Sequence, residues 1–167
     1  MTRIFFALLA ILTLPGCAAL PERVAHTALE HDYWHGYVDW GRGFSVEAPG
    51  RFAIRPDDDG TAAHLMPRSY VVDRGTLRFS IIAYPNDRLS HPAVAADEAF
   101  NLMSWDELGG TWPAFQRHVY QDGRLYRQRL VFANRMIYEL IVSGPADVFP
   151  DFAATRFLES FVVMVKT

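Results

Sequence analysis

The sequence predicts an α/β fold of the α+β kind, an antiparallel sheet flanked by helices, and three observations carry that prediction. Phe44, Val46 and Ala48 alternate with Ser45 and Glu47, the period of a strand with one buried face. Three β-favouring segments (residues 116–120, 125–132 and 136–142) follow one another through short turn sequences, the pattern of hairpins rather than of parallel crossovers. Two other stretches switch to a helical period: Ala96, Ala99, Phe100 and Met103, then Phe149, Phe152, Ala153 and Phe157. Helices inserted among hairpin-connected strands are expected to pack on the sheet.

The chain opens with Arg3 and a free amine, then an apolar run over residues 4–14, then a small residue before its only cysteine, Cys17. A membrane span needs about 20 apolar residues, so this order reads as a secretory leader. Leu14, Pro15, Gly16 and Cys17 resemble the lipobox of bacterial lipoproteins, in which the cysteine is acylated, with palmitate-type chains, and the chain is cut just before it. That resemblance implies a signal peptide over residues 1–16, lipidation of Cys17 and the membrane as a partner. Several acyl chains anchor stably where one is marginal. Ala18 and Ala19 stand where an Asp would retain a lipoprotein in the inner membrane, so the resemblance favours the outer membrane, facing the periplasm. Residues 17–32 are polar and without sustained period, a tether expected to add little to stability. Residues 33–167 are expected to form a single domain.

Within it, Trp34, Val38 and Trp40 share one parity, which favours a strand over residues 33–40. The strand at Phe44 ends at Pro49-Gly50, and Asp57-Asp58-Asp59-Gly60 is a turn. Residues 62–66 and 70–73 are short strand candidates, and Asp73-Arg74-Gly75 turns the chain into a strand over 77–84. Pro92 suits a first helical position, so a helix is expected near 93–104, ended by Gly109-Gly110. Gln121-Asp122-Gly123-Arg124 and Ala133-Asn134-Arg135 join the last three long strands, since Gly and Asn tolerate positive φ, and Gly144-Pro145 is expected to close the third. A second helix over 150–160 and a short strand over 161–165 complete the domain.

Gly43-Phe44-Ser45-Val46-Glu47-Ala48-Pro49 resembles the opening strand of PsbP-like and DcrB-like (Mog-type) domains. Arg135-Met136-Ile137-Tyr138-Glu139-Leu140 resembles a later strand of theirs, and Phe157-Leu158-Glu159-Ser160-Phe161 their closing segment. The resemblance spans residues 44–165 and implies an α/β/α sandwich, often exported or lipid-anchored. Its motifs are core positions and turns, so it carries over no catalytic residue.

Removal of residues 1–16 from 167 leaves 151 residues, with 15 basic against 19 acidic side chains. A chain of charge −4 has no electrostatic drive toward phosphate backbones, so nucleic acid is excluded as an expected partner. With Cys17 lipidated, no thiol remains for a disulfide, a zinc site or a nucleophile. His31 and His35, near His26, Glu30 and Asp32, form the one ligand-type cluster; on a helix they could chelate a metal, and a solvated tether is the plainer reading. The Asp57–Gly60 turn lacks the alternating ligands and distant Glu of a calcium loop. His118 reads as a structural strand residue, and no serine has the context of a nucleophile elbow. Arg127 and Arg129 project from one sheet face and are candidate anion-binding residues, the alternative being cross-strand pairing with Glu139 and Asp122. Trp34, Tyr37 and Trp40 read as core aromatics, with a membrane surface as the alternative.

The expectation is therefore an envelope lipoprotein with a non-enzymatic binding or assembly accessory domain, needing no cofactor. Its ligand or envelope protein partner is open. A membrane-anchored hydrolase with a scattered site, and a metal-handling lipoprotein, are the alternatives.

Overall fold

Phe44, Val46 and Ala48 are buried and Ser45 and Glu47 half-buried, as the alternation requires. They belong to a computed structural model that describes residues 33–55, 67–86, 104–133 and 135–165. Ten strands and one α-helix occur among these residues. The strands are β1 (His35–Asp39), β2 (Phe44–Ala48), β3 (Ala53–Arg55), β4 (Arg68–Arg74), β5 (Leu77–Pro85), β6 (Asp106–Leu108), β7 (Ala114–Gln121), β8 (Arg124–Ala133), β9 (Met136–Pro145) and β10 (Val162–Val163). A 3₁₀ turn at Ala146–Val148 leads into helix α1 (Asp151–Glu159).

Two antiparallel sheets result. The larger runs β3-β4-β5-β9-β8-β7-β6, and the smaller runs β1-β2-β10. β7, β8 and β9 form the expected meander, with Gln116 opposite Arg129 and Arg129 opposite Leu140. The two-residue turn between β7 and β8 places Asp122 at φ 51° and Gly123 at φ 72°, the left-handed pair a tight hairpin demands. Arg135, at φ 60°, does the same work between β8 and β9.

One face of the large sheet carries Tyr70, Phe79, Ile81, Tyr138, Leu140 and Val142, and these are fully buried. The small sheet and α1 cover them. Phe157 of α1 meets Phe79 edge-on at 5.5 Å, and Phe44 of β2 meets Tyr70 and Tyr138 in the same manner. Each such phenyl removed from water contributes about 1.5–3 kcal/mol. The opposite face buries a second cluster, Trp105, Leu130, Phe132 and Ile137. The three segments that carried the family resemblance meet at the first of these cores: Phe161 stacks on Phe44 at 5.5 Å, Ser160 Oγ accepts from Glu47 N–H at 2.9 Å, and the Tyr138 hydroxyl donates to Arg42 O, just ahead of the first segment, at 2.6 Å.

Several expectations need correction. Trp34 packs on the core, but Val38 and Trp40 are 46% and 73% exposed, and the core-facing residue of β1 is Tyr37. Trp34 lies ahead of β1, outside its ladder, so the parity of the strand does not extend to it. Gly144 and Pro145 lie inside β9, paired with Leu125 and Arg124, rather than closing it. Leu77 packs so closely over Gly144 that a Cβ there would collide with it, which is why a glycine occupies that strand position. On α1, Phe152 is exposed, and Ala153, Ala154, Phe157 and Leu158 form the buried stripe. β3 and β6, three residues each, were too short to show a period. The expected strand over 62–66, the turn at 57–60 and the helix near 93–104 (up to residue 103) lie outside the described residues. Among the described residues no helix is long and apolar enough to cross a membrane.

Candidate functional site

Arg127 and Arg129 are the sequence-predicted residues that the structure brings to a site, and their partners within the chain are not the acids that cross-strand pairing would supply. They share a sheet face with Val131 and Ala133, which is the buried face beneath α1. Neither pairs with Glu139 or Asp122. Arg127 Nη1 donates to Thr155 Oγ1 at 2.9 Å and lies 3.7 Å from the Asp151 carboxylate, with its side chain only 13% exposed. Arg129 Nη1 donates to Leu158 O at 2.7 Å, and Nη2 donates to Gln116 Oε1 at 3.0 Å. Leu158 O belongs to the last turn of α1, where carbonyls lack an intrahelical donor and the dipole favours a cation.

The two arginines are not equivalent. Arg127 has a carboxylate within ion-pair range; both hydrogen-bond partners of Arg129 are neutral. Burial lowers the Arg129 pKa, with the charge of Glu159 opposing and that of Arg127 reinforcing the shift. A guanidinium nonetheless stays protonated at neutral pH. The Nε atoms of both arginines are buried without a hydrogen-bond partner. An unmet buried donor costs about 1–3 kcal/mol, and among the described residues only Trp34 Nε1 shares this condition with the two arginines.

Arg129 also lines an open groove of about 430 Å³ at the edge of the sandwich. The sheet supplies its base through Ala114 and Val131; the loop after β6 supplies Trp112; Leu158 comes from α1, Val163 from β10 and Phe161 from the link between them. That volume falls in the range of small-molecule sites, roughly 300–1,000 Å³, which are typically apolar with a few placed polar groups.

A second polar cluster lies on the opposite face, where the Tyr84 hydroxyl donates to Glu139 Oε2 at 3.0 Å. Burial raises the Glu139 pKa against the opposing influences of Tyr84 and Arg117. Arg117 donates to Gln128 Oε1 at 2.5 Å and lies 4.2 Å over the Trp105 ring.

The remaining candidates disperse. His35 opens β1 as an exposed strand residue, which removes the helical spacing proposed for it with His31. Cys17, His26, Glu30, His31 and Asp32 lie outside the described residues. His118 is exposed on β7, opposite Arg127. Among the described residues no three His, Cys, Asp or Glu side chains gather around one metal position. The groove itself was not read from the sequence, although one signal was present: Arg127 and Arg129 have the parity of Val131 and Ala133, so two cations interrupt a core-facing row.

No family model matches the chain, and no curated protein matches it. Solved structures do. A protein from Bacteroides thetaiotaomicron aligns at TM-score 0.50 and 16% identity over 78% of this chain, which spans about half, 48%, of that protein. Cyanobacterial PsbP (CyanoP) from Synechocystis aligns at TM-score 0.52 and 11% identity, over 92% of this chain and 98% of its own. LpqN of Mycobacterium tuberculosis, described as involved in cell envelope biogenesis, aligns at TM-score 0.35 and 15% identity over 79% of each chain. At such identities the likeness speaks of architecture: the chain has the α+β fold of PsbP.

Proposed function

We propose that this chain is a lipid-anchored envelope protein whose domain is a non-enzymatic binding or assembly accessory. The address rests on the lipobox-like Leu14–Cys17 stretch, with Ala18 and Ala19 favouring the outer membrane. The observation that carries the binding role is the groove at the sandwich edge, lined mostly by apolar side chains with the partly satisfied Arg129 among them. A PsbP-like sandwich supports this reading as a scaffold that presents such a surface.

Metabolic labelling with an alkyne fatty acid tests the address. The native chain is expected to take up label and be shortened by its leader. Cys17→Ser is expected to abolish labelling and leave the uncleaved precursor. Label retained by that variant would overturn the lipid anchor.

A further inference from the structure

The groove's chemistry defines a ligand class more narrowly than the reading above, on which this inference rests. We propose that it binds a single-chain anionic amphiphile, an alkyl chain ending in a carboxylate or phosphate, with the head on Arg129 and the chain along Trp112, Phe161 and Val163.

Charge complementarity is the first argument. Arg129 accounts for two of its five N–H donors with a backbone carbonyl and a glutamine amide, and has no carboxylate within 4 Å among the described residues. A cation held by neutral partners at a desolvated position keeps unspent attraction for an anion. A planar guanidinium accepts carboxylate or phosphate oxygens two at a time. The exposed Glu159 carboxylate contributes at a distance and is screened by water.

Shape and polarity are the second. Beyond Arg129 and Thr111 the lining side chains are apolar: Leu108, Trp112, Ala114, Val131, Leu158 and Phe161, continued by the valines of the last strand. Val162 and Val165, 55% and 64% exposed, extend that apolar strip past the rim. A ligand with one charge and no tail would leave this surface wet; a neutral tail would leave the guanidinium unmatched. An anionic amphiphile satisfies both. A purely helix-capping role for Arg129 accounts for the bond to Leu158 O but not for the apolar channel that leads to it.

The test uses the chain as purified from cells, titrated with decanoate, decyl phosphate, decanol and decyltrimethylammonium, four ligands sharing one tail. Calorimetry and tryptophan fluorescence follow binding, with Trp112→Phe assigning the optical signal. Decanoate or decyl phosphate is expected to bind about tenfold tighter than decanol, and the ammonium compound weakest of all, since a charge-assisted contact is about twice as strong as a neutral one. Arg129→Gln is expected to lower affinity for the anions about tenfold and leave decanol within about twofold. Ala114→Phe fills the groove, keeps Arg129, and is expected to abolish binding of all four; this second variant holds the test open if Arg129→Gln folds poorly. Equal binding of decanol and decanoate overturns the anionic class while leaving a binding module in place. Absence of binding by every amphiphile, or anion binding unchanged in Arg129→Gln, overturns the inference, and neither result bears on Cys17 acylation.

Discussion

Two charged residues, Asp39 at the end of β1 and Arg129 on β8, show what saturation of a buried charge means. Asp39 ends β1 and is enclosed by donors. The Tyr70 hydroxyl donates to it at 2.6 Å, Arg42 N–H at 2.8 Å, and the Arg68 guanidinium lies 3.6 Å away. Burial alone would raise its pKa, yet these donors outweigh it and hold the carboxyl below the ordinary range. At Arg129 burial prevails and also moves the pKa down, which for a base means that the charged form is disfavoured. The same direction thus carries opposite meanings. The acid is clasped by its own fold, whereas the base is left wanting an anion. A charge whose partners are all supplied belongs to the architecture, and one lacking them beside an open groove belongs to the surface that meets other molecules.

Removal of the clasp gives the largest expected effect. Asp39→Ala strands the hydroxyl of fully buried Tyr70 and releases the β1–β2 turn, for a loss of about 2–3 kcal/mol in urea unfolding. Decanoate affinity in that variant should stay within about twofold. A comparable loss of binding would show that the two regions are one unit.

The clasp also has a pH signature. A depressed folded-state pKa means that Asp39 stabilises the domain above its unfolded value of about 4, and that this contribution is lost as pH falls through the folded value. Asp39→Asn should flatten that part of the acid limb in a stability-versus-pH series. An acid limb identical in the two proteins would assign the loss to other carboxylates.

Glu139 sharpens the contrast at the smallest scale. Its pKa is raised, so its favourable contribution is present below the ordinary glutamate value and lost as pH rises. Glu139→Gln keeps a partner for the Tyr84 hydroxyl and should gain at most about 1 kcal/mol near pH 7 relative to the native chain, with no gain at pH 4. Chemical denaturation at the two pH values measures the difference. A loss at neutral pH would place Glu139 with Asp39 as a clasped acid.

Local chemistry made much of this fold legible. Alternation located β2, the Asp73-Arg74-Gly75 turn and the β-favouring run after it located β5, Asp122-Gly123 located the β7–β8 hairpin, and the stripe of Ala153 and Phe157 located α1. What the chain order concealed was long-range. Nothing near Val162 indicates that β10 pairs with β2 rather than extending the large sheet. Exposure of Val38 and Trp40 depends on which face of the small sheet meets the core, and that face holds Tyr37, a fact of topology. The arginines were found as a pair, but Thr155 and Leu158 lie on a helix more than twenty residues later, and the cross-strand partner of Arg129 is the neutral Gln116 rather than an acid. The groove combines Trp112, Arg129, Leu158 and Val163, four positions that no periodic pattern links.

The pairing of Ser45 with Val162 has a consequence for the order of assembly. The β7–β8 hairpin closes over two residues, whereas this contact joins positions 117 apart. Chain entropy makes the short closures fast and the long one slow, because the cost of meeting grows with the intervening length. The central hairpins therefore set first, and the small sheet closes on a scaffold already present. Val163 and Phe161 reach their places only with that last closure, so the capacity to hold a ligand matures after the bulk of the sheet has folded. A young molecule with its meander complete is still without its groove.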